Sequence, residues 1–186
     1  MKIFNKALRI LLITDGLILL AGAMLGPIYA LFIEKVGGDL LDASFAFGVF
    51  ALVASITTLI SGRFSDKLKE KESILILGYF IMGMGFLGYI LVNSIWSLLM
   101  VQVIIGLGEA IYAPAFDSIY TKHLCERKSG REWSAWEALQ YLTTSVGAVI
   151  GGFIAANFGF ETMFLVMSSL CFISIFYIFS LPKKVL

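Results

Sequence analysis

Residues 10–33 read ILLITDGLILLAGAMLGPIYALFI, an apolar run with one carboxylate, Asp15, and no cation. A helix needs about 20 apolar residues to cross the hydrocarbon core of a bilayer. Five further runs of similar length follow, at 43–62, 73–92, 95–120, 133–157 and 160–181. The chain is 59% hydrophobic with mean hydropathy +0.92. Continuous runs of this length favour helices, because barrel strands need only about 10 alternating residues. The expectation is an all-α membrane protein, one domain of six transmembrane helices over residues 1–186.

The cations set the orientation. Lys2, Lys6 and Arg9 precede the first span; Arg63, Lys67, Lys69 and Lys71 follow the second. Lys122, Arg127, Lys128 and Arg131 follow the fourth, and Lys183 and Lys184 follow the sixth. Only Lys35 lies on the other side, with Glu34, Asp39, Asp42 and Glu161. The positive-inside rule makes the basic side cytoplasmic and puts both termini there. A multi-pass protein of the plasma (cytoplasmic, inner) membrane is expected. A cleaved signal peptide is the rival reading of the N-terminus, since Ala21-Gly22-Ala23 mimics a cleavage site. Asp15 interrupts that pattern, and the apolar run continues to Ile33.

Other chemistries find no residues. Cys125 falls in a cytoplasmic loop and Cys171 inside the sixth span, so no disulfide or metal spacing arises. His123, the single histidine, reads as a solvated loop residue. No glycine-rich phosphate loop carries its Lys-Ser/Thr. An enzyme, a cofactor, a metal or a nucleic-acid partner is therefore not expected.

Asp15 and Glu109 lie at membrane depth without a basic partner in sequence. A carboxylate there is costly and usually marks a path for protons, ions or substrate. A carboxyl that is neutral when buried and ionised when wetted is a natural proton carrier. Glu109 is the first candidate and Asp15 the second, its rival role being a hydrogen-bonded packing group. On the fourth span, Gln102 and Glu109 are seven apart and share a helix face. Asp15, Gly22 and Tyr29 do the same on the first. On the fifth, Glu137, Gln140, Tyr141, Thr144 and Gly147 form a polar stripe that should face a cavity or partner helix. Trp133, Trp136 and Trp96 read as interfacial belt residues. Phe45, Phe47 and Phe50 read as lipid-facing or packing residues rather than a ligand box.

Four segments carry a family resemblance. Residues 62–71, GRFSDKLKEK, resemble the signature loop of the major facilitator superfamily through Gly62, Asp66, Lys67 and Lys71. Lys69 stands where a second Gly is usual. Asp15-Gly16 with Gly26-Pro27 resembles the first helix of drug:proton antiporters, including tetracycline exporters. Gln102, Gly106, Ala110 and Pro114 resemble the fourth, with Gln102 where the superfamily often has Arg. Residues 147–152, GAVIGG, resemble the antiporter motif of the fifth, with Ala148 in place of Pro.

The resemblance implies half of a transporter fold, a 3+3 inverted repeat. A faint internal echo accompanies it: Asp15 and Gln102 each lie twelve residues before a proline, Pro27 and Pro114. It also implies a gating loop of Gly62, Arg63, Asp66, Lys67, Lys71, Asp117 and Arg131, and helix packing at Gly147, Gly151, Gly152, Pro27 and Pro114. Spans one, two, four and five would line a central cavity; three and six would pack outside. The expected function is proton-coupled antiport or efflux of a small amphipathic or cationic solute by alternating access, as a half-sized homodimer. The alternatives are an N-terminal portion of a twelve-helix transporter or a non-transporting membrane module.

Overall fold

The computed structural model describes residues 5–65 and 71–181. Among these residues every regular element is helical. Helix α1 (Lys6–Leu25) passes through a 3-10 turn at Gly26–Ile28 into α2 (Tyr29–Lys35). Then come α3 (Leu40–Ser65), α4 (Lys71–Gly88) with a terminal 3-10 turn Tyr89–Leu91, α5 (Ile95–Lys122) and α6 (Ser129–Phe179). Five segments are long and apolar enough to cross a membrane.

Side-chain caps fix the starts. Asn5 accepts from the Leu8 N–H at 2.8 Å and donates to the His123 carbonyl at 2.8 Å, so one residue starts α1 and ties it to the end of α5. Asp39 and Asp42 accept from each other's backbone N–H ahead of α3. Ser94 and Ser97 form the capping box of α5.

Two breaks differ from the sequence expectation. The first span is not one uninterrupted helix, because Pro27 sits in the turn between α1 and α2. The expected fifth and sixth spans are one element of 51 residues, α6. An unbroken helix of that length would extend about 76 Å, more than twice the roughly 30 Å hydrocarbon core. Gly159 interrupts it, at φ 85° and ψ 166°. That conformation is essentially restricted to glycine. The reversal thus needs one residue rather than a loop.

Close packing rests on residues without bulk. The first arm of α6 runs parallel to α1, with Gly16 against Leu139, Gly147 against Leu20 and Ala23, and Gly151 against Met24. A Cβ on Gly151 would run into the Met24 backbone. Gly78 and Gly108 bring α4 and α5 together, so that a Cβ on either would meet the other helix's backbone. The second arm of α6 is tied by hydroxyls. Ser168 donates to the Gly83 carbonyl and Ser174 to the Thr14 carbonyl, both at 3.0 Å.

Pro114 lies inside α5 and cannot donate to the Ala110 carbonyl. The Ser61 hydroxyl of α3 donates to that carbonyl at 2.5 Å. A group stranded by the proline becomes a tie between helices. Helix α3 is the least buried of the long segments.

Candidate functional site

A cavity of about 380 Å³ opens beside α1 and α5. Each helix contributes one stripe at helical spacing. Gly22, Leu25, Gly26 and Tyr29 come from the first segment; Gln102, Ile105 and Glu109 come from α5. Phe47 and Phe50 of α3, Met82, Phe86 and Tyr89 of the α4 segment, and Met167 of α6 complete the lining. The volume lies in the range of small-molecule sites, and around Tyr29, Gln102 and Glu109 the lining is apolar except for the Tyr89 hydroxyl.

Those three are arranged unequally. The Gln102 amide donates to the Tyr29 hydroxyl, joining α5 to α2 across the cavity. Glu109 is half-buried, and nothing among the described residues hydrogen-bonds its carboxyl. An ionised carboxylate in such a place needs a counter-charge, so a proton or a ligand cation is its natural partner.

Asp15 occupies a different place. It is 1% exposed and does not line the cavity. Trp136 donates its indole N–H to the Asp15 carboxylate at 2.9 Å. Trp136 packs in turn on Phe116 and Trp133. Beside Asp15 and Thr14 the Tyr79 hydroxyl is buried without a hydrogen-bond partner. The expectation that both acids look onto one vestibule is corrected: only Glu109 does. The reading of Trp136 as a simple interfacial residue is corrected too.

Other expected residues scatter. On α6, Tyr141 and Glu137 are exposed and Gln140 is half-buried, and none lines the cavity. Gly147 of the same stripe faces α1, whereas a Cβ on Gly152 would meet open space. Asp117 is exposed at the end of α5. The Lys71 ammonium donates to the neighbouring Ser118 hydroxyl. Arg63 and Arg131 are exposed and Gly62 is half-buried at the same end of the bundle. Asp66 and Lys67 lie outside the described residues.

Sequence reasoning missed three groups of lining residues. Phe47 and Phe50 line the cavity, Phe47 with most of its ring exposed. Met82, Phe86 and Tyr89 bring the third span into the lining, and Met167 the sixth, which corrects the expectation that both pack outside. The 82–86–89 spacing is a helical stripe, but it looks like any packing stripe in an apolar run. Cys125 and Cys171 are free thiols.

Comparison with known proteins supplies the frame for this cavity. The chain is 30% identical over 179 residues to the multidrug resistance protein MdtG of Proteus mirabilis, covering 93% of this chain and 44% of that protein. It is 25% identical over 170 residues to the protein of that name from Dickeya zeae, covering 90% and 42%. For the Enterobacter lignolyticus protein the values are 26% over 164 residues, 87% and 39%. The chain thus spans less than half the length of these curated relatives. The family model of the Major Facilitator Superfamily matches residues 11–185, nearly the whole helical bundle, and the chain belongs to that superfamily.

Proposed function

We propose that the chain forms one wall of a secondary transporter of the cytoplasmic (inner) membrane. It exchanges protons for a small amphipathic or cationic solute. The observation that carries this reading is Glu109, a carboxyl without a partner among the described residues, on a cavity lined mainly by Phe, Tyr, Met, Leu and Ile. Aromatic faces and thioethers suit an apolar cation, and the carboxyl suits its charge or a competing proton. The relatives carry the name multidrug resistance protein, which fits a tolerant, apolar lining.

In this reading the chain is one six-span unit, the fifth and sixth crossings divided at Gly159, with the basic end and both termini cytoplasmic. The two three-helix sets form the inverted repeat. Gln102 and Tyr29 fix the outer side of the cavity, and Asp15 is a second proton-holding group. Glu137, Gln140 and Tyr141 face the opposite wall. The segment from Gly62 through Arg63, Asp66 and Lys67 to Lys71, with Asp117 and Arg131, gates the cytoplasmic end. The Lys71–Ser118 bond supports that part.

The cavity is one-sided. A Cβ on Gly22 or Gly26 would meet open space, and Tyr141 is 79% exposed. A second unit closes it, and a twin copy of this chain is the occupant we propose. Alternating access then rocks the two units about the Glu109 site.

The test is flux and mass on one preparation. Reconstituted chain should exchange protons for a lipophilic cation such as tetraphenylphosphonium and should run as a dimer in nanodiscs. Flux that survives Glu109→Gln unchanged would remove the site. A monomeric mass would assign the opposite wall to another polypeptide segment. Absence of flux together with a stable heterologous partner would make the chain a non-transporting module.

A further inference from the structure

The structure assigns a binding site for the phosphate headgroup of an anionic phospholipid to the bundle end where α1 starts and α5 stops. The cations there come from two distant stretches of sequence. Lys6 and Arg9 lie on the first turn of α1; Lys122, Arg127, Lys128 and Arg131 lie at the end of α5, in the 3-10 turn and on the first turn of α6. All six are exposed.

The fold brings them to one level. Asn5 caps α1 and donates to the His123 carbonyl, pinning the first turn of α1 to the loop after α5. Parallel packing of α1 on α6, from Gly16 against Leu139 onward, keeps their starting turns side by side.

Among the described residues the carboxylates toward this end, Glu72, Asp117, Glu126, Glu132 and Glu137, are outnumbered by its cations. Glu132 is 4% exposed, and its Oε2 accepts from the Cys125 N–H at 2.8 Å, which turns that charge inward. Glu126 is the exposed acid of the turn. Among the described residues none of the six cations is held in an ion pair. Among the described residues the other end of the bundle has the reverse balance: Lys35 is its single cation, lies over the Phe160 ring at 5.5 Å, and stands among Glu34, Asp39, Asp42 and Glu161.

Depth points to lipid. These residues flank helices that cross a bilayer, so the anion that meets them at fixed height is a headgroup phosphate. Trp133, half-buried against Tyr120 one turn further along, sits where an indole prefers the headgroup boundary. Guanidinium forks of Arg9 and Arg127 match phosphate oxygens in pairs, with Lys6 and Lys128 adding point charge. Headgroup binding at this end of the membrane-embedded chain is independent of transport.

The test is native mass spectrometry of the full chain released from mixed phosphatidylglycerol–phosphatidylcholine nanodiscs. Phosphatidylglycerol should be retained over phosphatidylcholine. The variant R9Q/R127Q/K128Q should lose that preference by about a hundredfold, at about fivefold for each cation near the surface. Lys35→Gln should leave it unchanged. High salt applied to the unaltered chain should erase the preference, a readout that needs no variant to fold. Equal retention of the two lipids, a preference that survives the triple variant or high salt, or its loss in Lys35→Gln would overturn the site. Displacement of phosphatidylglycerol by millimolar inorganic phosphate would overturn the lipid as its ligand.

Discussion

Asp15 and Glu109 are two carboxylic acids at membrane depth in one bundle, and their surroundings are opposite. Asp15 is closed in by α1, α4, α5 and α6 and receives the Trp136 indole N–H. Glu109 stands on a cavity wall with no protein donor or cation facing it among the described residues. The protein satisfies one acid and leaves the other to whatever enters the cavity. Charge at membrane depth is therefore not enough to identify a working group; the missing partner is what distinguishes Glu109.

The sharpest way to break this contrast is to neutralise each acid separately. Glu109→Gln should lower proton-coupled flux by about a hundredfold, the lower scale for losing a proton-transferring side chain. Asp15→Asn should lower it by less, because the amide keeps the shape and can still accept from Trp136. Equal losses in a vesicle assay would place both acids on one path and dissolve the distinction.

The next test opens the Asp15 compartment. Gly151→Val drives two methyl groups and a Cβ into the Met24 backbone, so α1 and α6 must separate. Overpacking of this kind costs about 3 kcal/mol or more. Thermal unfolding in detergent should show a large loss, whereas Gly152→Ala, which meets open space, should be close to neutral.

A finer test removes only the donor. Trp136→Phe strands the Asp15 carboxylate and should cost about 2 kcal/mol, the scale of a hydrogen bond to a charged group. In an Asp15→Ala background, where the acceptor is gone, the same change should cost clearly less. Additive losses in that double-mutant cycle would mean that the indole matters for packing alone.

The smallest effect concerns the cavity's support. Ser61→Ala leaves the Ala110 carbonyl without its donor beneath Pro114 and should cost about 0.6 kcal/mol, the average for an interhelical bond in a membrane protein. A greater loss would make this tie, rather than the close approach of Gly106 to the Phe50 backbone, the main attachment of α3.

That the chain crosses a membrane, roughly where each apolar run lies, and which family it resembles were all legible along the chain. Those properties are local or additive: run length, charge between runs, and small residues at fixed spacing. The shared face of Gln102 and Glu109 was legible for the same reason, since seven residues are two helical turns. The turn at Gly159 was legible only as a gap between runs, because its compactness depends on one backbone conformation. What each face meets depends on the packed fold. It separated Asp15 from the cavity, supplied Trp136 from 121 residues away, and brought Phe47, Phe86 and Met167 to one cavity. In a chain apolar on every side, hydrophobic pattern cannot tell a lipid-facing stripe from a packed one, so the choice falls to close approach of backbones and to where buried polar groups find partners.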